Sequence, residues 1–233
     1  MVLIHAKKGY RMSDKKIMVM GDVHGKFSVM NTLINRKQPW MVLACGDFGY
    51  WPKIERYRDS YGQIVKPTAP RVGNTQVHWC DGNHEDHHSL KSAPVNGELW
   101  PNVFYHRRGS TLTLPDGRVI LFMGGAESVD KSFRTPGFDW FPEESITQAD
   151  LDALPDCHVD IVISHTCPME FQMQSMFEFN ERQSRIALSV VLEKYKPKEW
   201  FFGHWHTHVV GEYYDTKWQA VNKLMDTGSW IWL

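Results

Sequence analysis

Five short apolar runs in this chain end in residues that ligate metals or move protons. Asp22 and His24 follow the first, Asp47 the second, Asn83 and His84 the third, His165 the fourth, and His204 and His206 the fifth. A single Asp after a strand is usually a turn or cap residue, and a single His is usually a satisfied imidazole. Five repetitions of the pattern, always with Asp, Asn or His, make coincidence a poor explanation. Oxygen and imidazole donors without thiolates suit Mn, Fe, Zn or similar divalent ions, whereas calcium would ask for an all-oxygen shell. In each of the pairs Asp22-x-His24 and His204-x-His206, alternation along extended chain puts both side chains on one side. Two cations a few ångströms apart need a carboxylate between them, and Asp47 is the best placed bridge. The glycines before Asp22, Asp47, Asn83 and His204 permit the close backbone approach such a cluster requires.

Elements that would position these residues can be read from the pattern of apolar residues. The runs at 17–20, 40–45, 77–80, 159–163 and 200–202 are nearly all apolar, as expected of central strands buried on both faces. Helices are expected over 26–36, 147–153 and 181–194, the last with Ile186, Val190 and Leu192 on its buried side. Further strands are expected at 103–105, 111–114 and 118–123, the last two joined at Pro115-Asp116-Gly117. The tail reads as strands 209–214 and 217–221, followed by 224–232 closing the chain. Ligands of α/β sheets gather outside the carboxyl ends of strands, where loops bring separate segments to one point. The expectation is therefore a mixed α/β fold in one domain over 1–233. The long irregular stretches 48–74 and 124–144 are candidate substrate-facing lids.

Composition narrows the function classes. Lys plus Arg number 26 and Asp plus Glu 27, for a formal net charge of −1, with 42% hydrophobic and 23% charged residues. Disorder and collagen-like readings are excluded, and a general nucleic-acid coat or polybasic membrane-surface protein is disfavoured. Any attraction for an anionic ligand must be local. Cys45, Cys80, Cys157 and Cys167 show no C-x-x-C spacing, and buried thiols are the expected reading, with ligation by Cys167 a minority one. The amino-terminal segment lacks the order of a secretory signal, and no run approaches a membrane span. The expected compartment is the cytoplasm.

The blocks Gly21-Asp22-Val23-His24-Gly25, Gly46-Asp47-Phe48, Gly82-Asn83-His84-Glu85, Ser164-His165-Thr166 and Gly203-His204-Trp205-His206, in this order, resemble the calcineurin-like metallophosphoesterase superfamily. The resemblance implies a four-layer α/β/β/α sandwich of two mixed sheets flanked by helices, with a dinuclear centre at one sheet edge. By position, Asp22, His24 and His206 would hold one ion and Asn83, His165 and His204 the other, with Asp47 bridging. His84 would be the catalytic histidine over the substrate phosphate rather than a ligand. The activity implied is hydrolysis of phosphodiesters or phosphomonoesters, by in-line attack of a hydroxide bridging two divalent metals with His84 assisting the leaving group.

Two departures from the family pattern stand out. The acid that commonly orients the histidine is replaced by Tyr50, with Glu85 or Asp86 as candidate substitutes, and the usual phosphate-clamping Arg is missing. Compact bacterial or phage-type members are the nearer comparison than protein phosphatases. Arg134 and Lys131 in the second long loop are candidate clamps, since a guanidinium matches phosphate geometry. The first long loop interleaves Trp51, Tyr57 and Tyr61 with Arg56 and Arg58, a composition able to stack a base. The remaining histidines, His78, His87, His88, His106, His158 and His208 among them, read as core, edge or rim residues. The expected partner is a small phosphorylated substrate or nucleotide; nucleic acid is less favoured and a membrane is not expected. The competing functions are a non-catalytic scaffold of the same fold and a nuclease. Nothing in the sequence specifies the oligomeric state.

Overall fold

The computed structural model describes residues 15–55, 57–58, 64–94, 97–173 and 182–233. Its elements in chain order are β1 (Ile17–Met20), α1 (Phe27–Lys37), β2 (Met41–Ala44), a two-stranded hairpin of β3 (Tyr57–Arg58) and β4 (Ile64–Val65), β5 (Gln76–Cys80) and α2 (His87–Leu90). They continue with β6 (Glu98–Trp100), β7 (Val103–His106), β8 (Ser110–Thr113), β9 (Val119–Met123), α3 (Gln148–Asp152), β10 (Ile161–Ser164) and α4 (Gln183–Tyr195). Strands β11 (Glu199–Phe202), β12 (Val209–Tyr213), β13 (Thr216–Ala220) and β14 (Trp230–Trp232) complete the chain.

Two six-stranded mixed sheets result, in the orders β14-β1-β2-β5-β7-β6 and β12-β13-β11-β10-β9-β8. In each, the four inner strands run parallel and both edge strands run antiparallel. Alternation along β1 shows how the layers stack. Ile17 and Val19 join Leu43, Ile120, Phe122, Ile163 and Phe201 in a core between the sheets. Met18 and Met20 face the other way, packing with Met30 and Ile34 of α1. On the far side of the second sheet, Leu121, Val162, Trp200 and Phe202 pack with Leu188 and Val191 of α4. Each such apolar side chain stabilises the fold by about 1.5–3 kcal/mol. Helix, sheet, sheet and helix form a four-layer sandwich, as the motifs implied.

Helix α4 corrects one expectation. Leu192 is buried as expected, but Ile186 and Val190 are exposed, and Arg185, Leu188 and Val191 are buried in their place. The reason is polar. The Arg185 guanidinium donates to the carbonyls of Cys167, Pro168 and Phe171 and lies 5.1 Å from the Trp205 ring, fixing the turn after β10 beside the histidine block. An apolar count cannot anticipate a buried arginine with a structural task. Strand β6 is an addition to the expected elements, and only Trp230–Trp232 of the closing segment is strand. Glu181, expected in this helix, and Arg56 and Tyr61 of the first long loop lie outside the described residues. Among the described residues, no helix is long and apolar enough to cross a membrane.

Candidate metal centre

All five blocks converge at the carboxyl ends of the parallel strands, where the two sheets meet. Asp22 follows β1, Asp47 follows β2, Asn83 and His84 follow β5, His165 follows β10, and His204 and His206 follow β11. The first cluster gathers on Asp22, which is fully buried. Its Oδ2 lies 3.1 Å from His206 Nε2 and 3.8 Å from His24 Nε2, and those two imidazole nitrogens are 3.1 Å apart. The backbone N–H of His204 donates to both Asp22 oxygens, at 2.9 and 3.1 Å.

The second cluster gathers on His165, also fully buried. Its Nε2 lies 3.0 Å from Asn83 Oδ1, 3.1 Å from His204 Nδ1 and 3.2 Å from Asp47 Oδ1. Its Nδ1 is 2.8 Å from the carbonyl of Cys45 and donates there. That bond orients the ring and leaves Nε2 for the cluster, the usual arrangement behind a ligating histidine. Asp47 stands between the clusters: its Oδ2 is 3.8 Å from His24 Nδ1 and 4.0 Å from His84 Nε2, and its Oδ1 accepts from the His84 backbone N–H at 2.8 Å.

Electrostatics at both clusters favour positive charge. Burial raises the pKa of Asp22 and Asp47, but the surrounding histidines outweigh it and hold both carboxyls below the usual range. Burial would lower His165, yet Asp47, the hydrogen bond to it, and Asp22 raise it to about 10. Donors spaced near 3 Å are also what adjacent ligands show around an ion with bonds of about 2.1 Å. The triples Asp22-His24-His206 and Asp22-Asp47-His165 each present one ligand atom apiece within 4.8 Å, as does His24-Asp47-His84. Donor chemistry, spacing and field all fit divalent cations.

This proximity is obtained through unusual backbone. His24, Asp47, His204 and His206 all have positive φ, at 48°, 40°, 64° and 47°. For non-glycine residues that conformation costs about 1–3 kcal/mol each and clusters at functional sites. Glycines make the remaining room. Gly46 has φ of 87°, and a Cβ there would collide with the His165 ring. A Cβ on Gly82 would strike the Asp47 carboxylate.

His84 has a different neighbour from the acids expected to support it. Glu85 is buried and accepts from the backbone N–H groups of Phe48, Gly49 and Tyr50 at 2.6, 3.1 and 2.6 Å. It shapes the loop after Asp47. Asp86 caps α2 through the Ser89 N–H and lies 3.4 Å from Lys53. The group facing the imidazole is Arg134, whose Nη2 is 2.6 Å from His84 Nε2 and 2.7 Å from Asp130 Oδ1. Its Nη1 donates to the Asn83 carbonyl at 3.3 Å. Lys131 sits apart from this group, its ammonium 5.9 Å from the Trp140 ring. Tyr50 packs on Trp79 and Trp100 in the core, and Trp51 meets Phe141 across the two long loops.

Residues 15–208 match the family model described as calcineurin-like phosphoesterase. The chain belongs to that family. A lariat debranching enzyme of Schizosaccharomyces pombe is 23% identical over 226 residues, which is 82% of this chain and 48% of that protein. The chain thus spans about half the length of the curated relative it matches. Among solved structures, TT1561 of Thermus thermophilus shares the fold, with a TM-score of 0.55, 13% identity and 90% coverage of both chains. Calcineurin-like phosphoesterases are a metal-dependent family, and the Asp and His clusters described above could hold metal.

Several residues of the centre are not evident in the sequence. Glu85 reads there only as a possible partner of His84; its signal is an acid placed directly inside a tight motif. Asp130, Ser128, which accepts from Asn83 Nδ2, and Glu144, which accepts from Ser128, carry no such signal, because an irregular loop has no periodicity from which their direction could be read.

Proposed function

We propose that this calcineurin-like phosphoesterase hydrolyses phosphate esters at a centre of two divalent ions of the Mn, Fe or Zn class. Asp22, His24 and His206 hold one position, Asn83, His165 and His204 the other, and Asp47 faces both. The observation carrying this reading is the approach of Asn83 Oδ1, His204 Nδ1 and Asp47 Oδ1 to within 3.2 Å of His165 Nε2, alongside the Asp22 cluster. Ions bound there would supply a water deprotonated at neutral pH and neutralise phosphoryl charge.

The remaining tasks fall to the chain. Arg134, its side chain 8% exposed and anchored by Asp130, presents a guanidinium fork at the edge of the cluster, where it would clamp a phosphoryl group. Arginine only donates, so His84 Nε2 accepts from it in this arrangement. Burial and the Arg134 charge hold His84 below the ordinary histidine range, against the pull of Asp47. Substrate phosphate drawing Arg134 to itself would release Nε2 to take up a proton and pass it to the leaving oxygen.

One feature supports nucleotides or nucleic-acid diesters within this class. The loop that delivers Arg134 exposes Phe133 at 91% and Phe138 at 67%, and an aromatic beside a phosphate-binding group suits a stacked base. The distant likeness to a debranching enzyme is consistent with that substrate class. Hydrolysis of nitrophenyl monoesters, nitrophenyl diesters and a dinucleotide under Mn²⁺ tests the reading. Metal-dependent turnover of at least one ester is expected. Bound metal without turnover of any would favour a scaffold of the same fold.

A further inference from the structure

Asn83 is the one amide among the proposed ligands. An amide has an oxygen at one corner and an NH₂ at the other, and only the oxygen has a lone pair for a cation. Turning the group by half a revolution replaces a ligand with a donor that repels the ion. Something must therefore set its polarity.

The structure shows a buried relay behind it. Asn83 Nδ2 donates to Ser128 Oγ at 3.2 Å, and Ser128 Oγ donates to Glu144 Oε2 at 2.5 Å. The other carboxylate oxygen, Oε1, accepts from the Ser128 backbone N–H at 2.7 Å and from Trp140 Nε1 at 2.9 Å. Ser128 and Glu144 are 3% and 2% exposed. A carboxylate can only accept, so the single hydroxyl hydrogen of Ser128 points to it, and the serine oxygen must accept from Asn83. Asn83 Oδ1 is then left facing His165 Nε2 at 3.0 Å.

We infer that Glu144, acting through Ser128, is a positioning residue that fixes the amide polarity of Asn83 and so makes it a metal ligand. This rests on the metal-centre reading above. It also gives the second long loop a task besides carrying Arg134: that loop sets one ligand of the buried cluster.

Exchange of one atom tests it. In Glu144→Gln, the two N–H donors on the Oε1 side oblige the new amide to place its oxygen there and its NH₂ towards Ser128. Ser128 then turns its hydrogen to Asn83, and the amide flips. Mn²⁺ titration of the full chain should show affinity falling by about 10–100-fold, the usual effect of losing a ligand's supporting partner. Asn83→Asp presents oxygen in either orientation, and with Glu144 it would share one hydroxyl hydrogen between two carboxylates. On that background Glu144→Gln should leave Mn²⁺ affinity unchanged or raise it. A merely structural Glu144 would lower affinity alike on both backgrounds, and that result overturns the inference, as does wild-type affinity in Glu144→Gln. If the glutamine variant fails to fold, Ser128→Ala replaces it: a loss of Mn²⁺ affinity confined to the Asn83 background supports the relay, and no loss, or equal loss on both, overturns it. Absence of Mn²⁺ binding by the wild type would instead overturn the metal-centre reading, so the two failures are distinguishable.

Discussion

The two halves of the centre are built from similar residues and differ in exposure. Around Asp22, the His24 and His206 side chains are 22% and 41% exposed. Around His165, the imidazole itself is wholly buried and Asn83 is 5% exposed. The open half has one carboxylate and two solvent-reached imidazoles. The buried half has its orienting bonds in place behind it, with His165 donating to the Cys45 carbonyl and Asn83 donating to Ser128 Oγ. Ligands oriented in advance bind more tightly than mobile ones. If two ions are bound as proposed, the buried half would hold one tightly and the open half an exchangeable one, with Asp47 common to both.

The largest effect should come from the shared residue. Asp47→Asn is expected to lower turnover by about a thousandfold, since several kcal/mol of charge stabilisation are removed. It should also deplete metal from both halves, as measured by metal analysis of the purified variant. His84→Ala comes next, with about a hundredfold or greater loss in kcat and unchanged metal content; loss of metal would place His84 among the ligands instead. His206→Ala should lower activity at limiting Mn²⁺ by about tenfold or more and recover in excess Mn²⁺. The buried-half variant His165→Ala should not recover. Equal rescue of both would erase the distinction between the halves.

How far this division could be foreseen varies residue by residue. The strand ends were legible because buried parallel strands are continuous apolar runs, and Asp22, Asp47, Asn83, His165 and His204 directly follow such runs or their closing turns. The positive φ of His24, Asp47, His204 and His206 was not, because tertiary packing imposes it against local preference. Adjacent acids are the natural candidates for the partner of His84, whereas Arg134 arrives from 50 positions away along an irregular loop. The buried face of α4 departs from the apolar pattern because Arg185 answers carbonyls rather than apolar neighbours.

Histidines far from the centre supply a contrast and the smallest expected effect. His78 and His106 pair between the sheets at 2.8 Å, and His106 stacks on Phe122. Burial lowers both, His106 to about 3. A histidine that stays neutral when folded but protonates when unfolded below about pH 6.5 destabilises the fold as pH falls through 6.5 towards 3. Near pH 5 the cost is about 2 kcal/mol for His106. Denaturant unfolding at pH 7 and pH 5 should show that loss reduced in His106→Phe, whose ring matches the apolar setting. An unchanged pH dependence would assign the acid sensitivity elsewhere.

The proposed centre is a pair of divalent sites sharing Asp47. Its most direct measurement is calorimetric titration of the wild-type chain with Mn²⁺, run in parallel with diester hydrolysis. Two binding events per chain are expected, one tight and one weaker, with turnover rising as the weaker site fills. A single event, or none, in a folded chain would contradict a two-ion centre.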